Sequence, residues 1–397
     1  MTLPLQGVVV VSAEQALAGP LASRSLADLG ATVVKVERPD GGDFARDYDS
    51  VVHGVASAFA WLNRSKKSVV IDLQRPEATK VMRALLARAD VFLSNLKPGS
   101  LSKLGYSDEL LASTYPNLIT CTIDGYGSAG GRYAGKKAYD LMIQAESGLM
   151  SLTGTEKQPA RAGISVADIA AGSQASQAIL AALIERERTG HARRVRISLL
   201  DSLAEWMGHP LLYAMHGGSQ QRRTGTSHPT IAPYGQFAVA DGQVMLAVQN
   251  QREWRRLCDE VLLRTRLSDD PRFVNNAARV ANRAELRDEV EAAFRDVPAA
   301  EALARLDAAN IANARLNDVQ SFVDEYKALA PDRWFTVQTA DADFQAVLPP
   351  QFDEDFVPQN APVPDLGQHT QEVLAWAGIA SEEIDSLLSD GIAGVRK

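Results

Sequence analysis

Apolar residues come in short runs separated by longer amphipathic stretches, and this alternation sets the first expectation. Four valines at 8–11 read as a buried strand, 22–29 as a helix, and 32–36 as a second strand ending in Glu37. The pattern repeats with strands at 68–72, 91–94 and 118–123 and a helix at 78–87. A helix over 169–188 carries Ile179, Leu180, Leu183 and Ile184 on one face and stops at Gly190. A strand at 195–199 follows, with Asp201 placed to cap the next helix. Strand and helix in alternation predict an α/β fold with a mainly parallel sheet.

The pattern then changes. Residues 219–234 are rich in Ser, Thr, Gly, His and Pro and read as a connection or functional loop. In "GQFAVADGQVMLAV" the pair Asp241-Gly242 marks a hairpin. Residues 252–306 are charged, alanine-rich and helical in pattern, as expected of a smaller second domain. "FVPQNAPVPDLGQHTQEVLAW" reads as a Pro-rich strap entering a terminal helix.

The first strand–helix unit resembles a nucleotide-binding βαβ unit, with Glu37 where a ribose-binding acid would stand. Its turn, Ser12 to Pro20, lacks G-x-G-x-x-G, so a phosphate needs other donors. Side-chain cations supply them. Lys35, Arg38 and Arg46 surround Gly41-Gly42, and Lys97 and Lys103 follow the strand at 91–94. Together they suit a polyanionic ligand at the C-terminal ends of the strands.

At 397 residues the chain exceeds the size of one usual core. A net charge of −8 disfavours general nucleic-acid binding. Two cysteines form no disulfide framework, and no signal or membrane segment is visible, so a cytoplasmic protein without membrane partners is expected. No HExxH, Walker A or G-x-S-x-G pattern occurs, which disfavours zinc hydrolases, P-loop NTPases and serine esterases, and no metal ligand set is assigned.

Two candidate clusters remain. Asp168 in "AGISVADIAAG" sits where an apolar segment enters a helix of small residues. It can be an N-cap, or a reactive carboxylate beside free backbone amides. Tyr139, Asp140, Gln144 and Glu146 in "KKAYDLMIQAESG" form either a polar site or a solvated helix face.

These stretches resemble the family III coenzyme A transferases. The resemblance is carried by "LADLGATVVKVERPDGGD", "NRSKKSVVIDL", "SNLKPGSLSKLG", "KAYDLMIQAESGLMSLTG", the Asp168 segment, "RRVRISLLDSL" and "PDLGQHTQEVL". It implies an interlocked homodimer. It also implies a large Rossmann-like domain from 1–200 and 330–397, a small domain at 225–325, and linkers at 201–224 and 326–345. Coenzyme A would be a co-substrate, with no permanently bound cofactor. Its contacts would be Arg38, Ile71, Asn95, Leu96, Lys103, Lys137 and Tyr139, with Lys103 standing where relatives carry Arg.

By the same resemblance Asp168 is the nucleophile, passing through an aspartyl anhydride and an aspartyl–CoA thioester. Leu17 falls where relatives place a Gln near the nucleophile, and whether Gln15 substitutes is open. The acyl groups expected are succinyl-CoA as donor and itaconate, mesaconate or citramalate as acceptor. Arg46, His228, Gln15, Asp140 and Glu146 are the candidate substrate contacts. Two alternatives stand beside this reading. One is an α-methylacyl-CoA racemase, whose members carry His where this chain has Tyr139; the other is a non-enzymatic CoA-binding role.

Overall fold

The computed structural model describes residues 2–127, 131–133, 135–218 and 220–394; Ser219, at the start of the expected connection, lies outside them. Six strands form a parallel sheet: β1 (Val9–Ala13), β2 (Thr32–Glu37), β3 (Lys66–Ile71), β4 (Val91–Ser94), β5 (Ile119–Asp124) and β6 (Arg194–Ser198). Further strands are β7 (Tyr234–Val239), β8 (Gly242–Ala247), β9 (Ala312–Arg315), β10 (Trp334–Gln338), β11 (Asp343–Val347) and β12 (Ala393–Gly394). β12 adds antiparallel to β3, giving a seven-stranded sheet of order β12-β3-β2-β1-β4-β5-β6. The α/β expectation holds, with small antiparallel sheets added. The central strands β1 and β4 are nearly continuous buried runs, as expected of parallel strands covered on both faces, whereas the outer strand β6 exposes Arg194 and Arg196.

The chain forms two compact units. One comprises Met1–Ser147, Ala162–His209 and Ala330–Lys397; the other Gly148–Arg161 and Pro210–Leu329. In the first, the opening helix Ala18–Asp28 packs on the long helix Val166–Thr189. A Cβ on Gly172 would lie 2.7 Å from the Ala18 carbonyl oxygen, so glycine lets the two backbones approach. The C-terminal segment belongs to the same unit. Val373, Leu374, Ile384 and Leu387 join Val34, Val69, Val81 and Phe92 in one core cluster.

In the second unit β7, β8 and β9 form an antiparallel sheet, and the Asp241-Gly242 hairpin is present. Its core gathers Phe237, Val244, Trp254, Phe273, Val290 and Leu306.

Several local expectations need correction. The helix expected after the strand at 195–199 is present as Leu199–Trp206, and the stretch 201–224, expected as a connection, also holds the helix Gly208–His216. Residues 326–345 finish the helix Val319–Leu329 and then form most of the β10–β11 hairpin. The helical run over 252–306 is broken into separate pieces, with Asp270-Pro271 and Pro298 at two of the breaks. Ser198, not Asp201, caps the helix after β6: its Oγ accepts from Asp201 N at 3.0 Å. The C-terminus holds two helices, Thr370–Trp376 and Ser381–Ser389. Among the described residues no helix is long and apolar enough to cross a membrane.

Candidate active site

The turn after β1 is held by side chains where a glycine-rich loop would use its own backbone. Asn95, one residue past β4, accepts from Gln15 N at 2.8 Å and donates to Gln15 O at 2.8 Å. Asp43 Oδ1 accepts from Ala16 N at 3.0 Å, and Ala16 is held at φ +60°. That left-handed conformation costs about 1 kcal/mol in a non-glycine residue, so these side-chain anchors maintain it.

Beneath the turn lies a buried charge network. Lys35 Nζ meets Asp43 at 2.8 Å and Glu14 at 3.6 Å, while Lys66 meets Glu14 at 2.8 Å. Glu37 accepts from Arg46, Ser68 Oγ and Asp43 N. Burial works against its ionisation, but the Arg46 and Lys35 charges prevail and hold Glu37 down at about 2. Lys35 was expected to face a ligand; instead it is fully buried in this network, while Glu37, though held by the same network, still lines the cavity at the strand ends. Placing charges in this interior is tolerable only because each is paired. Sequence reading missed Asp43, Glu14 and Lys66 as a unit. The available signal was two lysines in buried strands, Lys35 in β2 and Lys66 at the start of β3, with acids just past the ends of β1 and β2.

A cavity of about 450 Å³ opens at the C-terminal ends of β1 to β4. Ile71, Leu73, Leu96 and Leu104 supply apolar wall, and its polar lining mixes the cations Arg38 and Lys103 with Gln15 and the acids Glu14, Glu37, Asp43 and Asp72. Arg38 and Lys103 are exposed, and neither pairs with a carboxylate among the described residues. Arg38 Nε donates to Gly42 O at 2.7 Å, which fixes the guanidinium at the rim. Four of the seven expected CoA contacts therefore line one cavity, and Asn95 is fastened to its edge. The side-chain amide of Asn95 is committed to Gln15, so it shapes the wall.

The remaining two, Lys137 and Tyr139, lie just before the short helix Asp140–Glu146, with Lys137 Nζ 5.0 Å from the Tyr139 ring centroid.

Asp168 is the third residue of the long helix, so it is not the N-cap; Ser165 holds that position without a side-chain hydrogen bond. The capping role passes to Asp140, whose Oδ1 accepts from Ala167 N at 2.8 Å. Asp140 is 7% exposed, and its Oδ2 accepts from Gln144 Nε2 at 2.7 Å. The expectation that Asp140 contacts substrate gives way to this arrangement, because both oxygens are already engaged. Burial, and then the Asp140 charge, push Asp168 up to about 7. The Tyr48 hydroxyl is raised as well, by its partial burial and then by the charges of Asp43 and Asp168.

One contrast sets Asp168 apart. The buried acids Glu14, Asp28, Glu37, Asp43 and Asp140 all hold cations or hydrogen-bond donors. No hydrogen bond or ion pair among the described residues engages the Asp168 carboxylate. A carboxylate kept free of partners and near half-ionised at neutrality is poised to act as a nucleophile.

Other expected contacts are placed elsewhere. Arg46 grips Glu37 through Nη2 at 2.7 Å and Nε at 2.9 Å, and stacks 3.8 Å from the Phe59 ring. Glu146 accepts from Tyr126 Oη at 2.6 Å and pairs with Lys136. His228 belongs to the second unit, where its Nδ1 accepts from Thr230 N at 3.2 Å and its ring lies against Tyr234. Among the described residues no cluster of His, Cys, Asp and Glu could hold a metal ion.

This mostly parallel α/β fold is shared with a solved structure of the CaiB/BaiF family. The solved structure of a CAIB/BAIF family protein from Brucella suis matches it with TM-score 0.83 and 32% identity, covering 95% of this chain and 100% of that one. The family model described as CoA-transferase family III matches residues 5–370, and the chain belongs to that family of CoA-transferases. A succinate–glutarate CoA-transferase of Agrobacterium fabrum is 39% identical over 292 residues, 72% of each chain. A succinyl-CoA:mesaconate CoA-transferase of Haloarcula hispanica is 32% identical over 391 residues, 95% of this chain and 97% of the relative.

Proposed function

We propose that this enzyme moves coenzyme A from succinyl-CoA to a short dicarboxylic acid, with Asp168 carrying the activated group. The observation that carries the reading is the unpartnered Asp168 carboxylate among acids that are all otherwise engaged. The two relatives named above act, by their names, on succinate and glutarate or on succinyl-CoA and mesaconate, which supports the C4–C5 dicarboxylate class. Itaconate and citramalate belong to the same class as candidate acceptors.

An Asp168 oxygen attacks the thioester carbonyl of the donor; the C–S bond breaks, CoA thiolate leaves, and an acyl–aspartyl anhydride remains. The thiolate attacks the aspartyl carbonyl, the anhydride C–O bond breaks, and the donor acid departs. The product is an aspartyl–CoA thioester. An acceptor carboxylate then attacks that carbonyl, expelling thiolate and forming a second anhydride. The thiolate attacks the acceptor's acyl carbon and frees Asp168. One thioester is consumed and one is made, so the scheme needs no other energy source. Exclusion of water protects the anhydride from hydrolysis.

The nucleotide portion of CoA would occupy the cavity, its phosphates toward Arg38 and Lys103 and its base against Ile71 and Leu96. Lys137 and Tyr139 would meet the arm leading to the thioester. Within this reading, His228 and Gln15 remain candidate acceptor contacts. The protein would act in the cytoplasm as an interlocked homodimer. Two helices support a partner chain: Gly208–His216 and Val319–Leu329 bury no residue, leaving Leu212, Met215, Val319 and Leu329 more than half exposed.

The test is to incubate the protein with succinyl-CoA and a panel of C4–C6 acids and follow new thioesters by mass spectrometry. Quenched samples are digested and searched for CoA or acyl adducts. An adduct on Asp168 and a new dicarboxylyl-CoA are expected. Transfer at an undiminished rate by Asp168→Ala would overturn the assignment.

A further inference from the structure

Gln144 is completely enclosed, 0% exposed, and its amide is used at both ends. Oε1 accepts from Ala162 N at 2.8 Å. Nε2 donates to Asp140 Oδ2 at 2.7 Å and to Ile164 O at 3.3 Å. Ala162 and Ile164 lie in the segment that leads into the long helix, and Asp140 is the carboxylate that caps it. A single side chain therefore holds the incoming backbone at two points and orients the capping acid. A polar group removed from water in this way is costly unless its partners are fixed.

We propose that Gln144 is the positioning residue for the nucleophile, locking the start of the long helix so that Asp168 is presented in one geometry. This inference rests on the assignment of Asp168 in the preceding subsection. It goes further in stating what holds that residue and what tunes it. Neighbouring charge matters because Asp140 sits between the two: Gln144 keeps Asp140 oriented, and Asp140 raises Asp168. The groups facing this assembly are Asp140 on the short helix, Asp168 on the long helix, and Tyr48, whose hydroxyl also feels Asp43 and Tyr139.

Gln144→Glu is the informative variant. It keeps the shape and the acceptor for Ala162 N but places a carboxyl where an amide donor met Asp140. Two carboxyls at hydrogen-bond distance share one proton. While that proton is present the clamp survives; once it is lost, the pair repels and the helix start is released.

Wild-type kcat is expected to rise with pH as Asp168 ionises. Gln144→Glu should instead fall with rising pH, dropping about 100-fold below wild type once the pair is fully ionised, because small misplacement of a nucleophile costs on the order of that factor. The KM for succinyl-CoA should stay within about 2-fold, since the cavity is anchored by Asn95 and Asp43. Gln144→Leu removes the donor to Asp140, weakens its charge, and should shift the acid limb of the kcat profile downward while lowering kcat.

If both variants follow the wild-type pH course with kcat within about 2-fold, Gln144 positions nothing and the proposal fails. Melting curves are recorded alongside. A variant that loses stability yet keeps the wild-type profile in its folded fraction also overturns it. The Asp168 adduct in wild-type protein is scored separately. Its absence would remove the assignment beneath, whereas its presence with unchanged Gln144 variants removes only this step.

Discussion

Asp140 Oδ1 accepts the amide of Ala167 at 2.8 Å, and Ala167 immediately precedes Asp168 in the first turn of the long helix. One carboxylate thus serves as the cap that starts the helix on which the other stands. A helix N-terminus alone favours an ionised acid. Burial and the second negative charge outweigh it here, and Asp168 is held up at about 7. Fold and electrostatics meet at this pair: the acid that caps the helix also raises the carboxyl that stands on it.

The rate of transfer should therefore rise with pH around neutrality. Attack requires the ionised carboxylate, and an acid near 7 is about nine-tenths protonated one pH unit lower. In single-turnover reactions with succinyl-CoA, adduct formation is expected to increase about 25-fold from pH 5.5 to 7.5 and to level off above pH 8. A flat profile across that range would mean that Asp168 is not the group that must ionise. Incubation with a 2-methylacyl-CoA in deuterated water discriminates the racemase alternative, which would wash deuterium into its α-position; a pure transferase leaves it unlabelled.

Stability should move in the opposite sense. Asp168 titrates near 3.8 when unfolded and about 7 when folded, so the folded state retains a proton that the unfolded state has lost. Stability contributed by that proton falls as pH rises from about 4 to 7, and the penalty is complete above 7. Asp168→Asn removes the penalty. With allowance for partial solvent screening, it should stabilise the protein by about 1–3 kcal/mol at pH 8 and by little at pH 4. Chemical denaturation at the two pH values measures the difference. Equal effects at both would contradict the raised value.

How much of this was legible beforehand varies by scale. The strands from Val9 to Ser198 were visible because parallel strands covered by helices are nearly pure apolar runs, and Gly190 marked the end of the long helix. Hidden were the helix Gly208–His216 and the β10–β11 hairpin, whose alternation is too weak to separate strand from connection. Arg38 and Lys103 stood out as cations after strand ends, whereas Ile71 and Leu96 were singled out only through the family resemblance, and one cavity brings the four together.

The pairing of charges was not legible. Lys35, Arg46 and Arg38 look alike in "KVERPDGGDFAR", yet the first is fully buried, the second grips Glu37, and the third stands at the rim. Which cation faces a ligand depends on contacts between residues far apart in sequence, such as Glu37 with Ser68.

Arg46 illustrates the consequence. As a contact for a distal carboxylate, its loss would raise the KM for the acceptor. Held instead by both Glu37 oxygens and stacked on Phe59, it should act through folding. Arg46→Ala leaves Glu37 buried with one main cation removed, a change that costs about 3–5 kcal/mol in comparable buried pairs. The expected result is a large loss of soluble, folded protein or of melting temperature. Acceptor KM in whatever remains should be close to wild type. A stable variant with an acceptor KM raised about 10-fold would restore the substrate role.

Lys103 offers the cleanest separation of nucleotide binding from chemistry. It lines the cavity, is exposed, and pairs with no carboxylate among the described residues, so removing it leaves no buried charge behind. A lysine meets phosphate as a point charge, where an arginine would present a two-pronged donor. One charge-assisted contact of this kind in a partly open cleft contributes about 1–1.5 kcal/mol, or about 5–10-fold in affinity. Lys103→Ala should raise the KM for succinyl-CoA by that factor with kcat nearly unchanged, and the effect should shrink as salt screens the contact. Succinyl-pantetheine lacks the nucleotide phosphates, so its much weaker turnover should be the same in wild type and variant. Lys103→Arg should recover or improve the succinyl-CoA KM, because the planar guanidinium gains a second hydrogen bond. A variant that weakens both thioesters equally would place the phosphates outside the cavity formed by Arg38, Ile71 and Leu96.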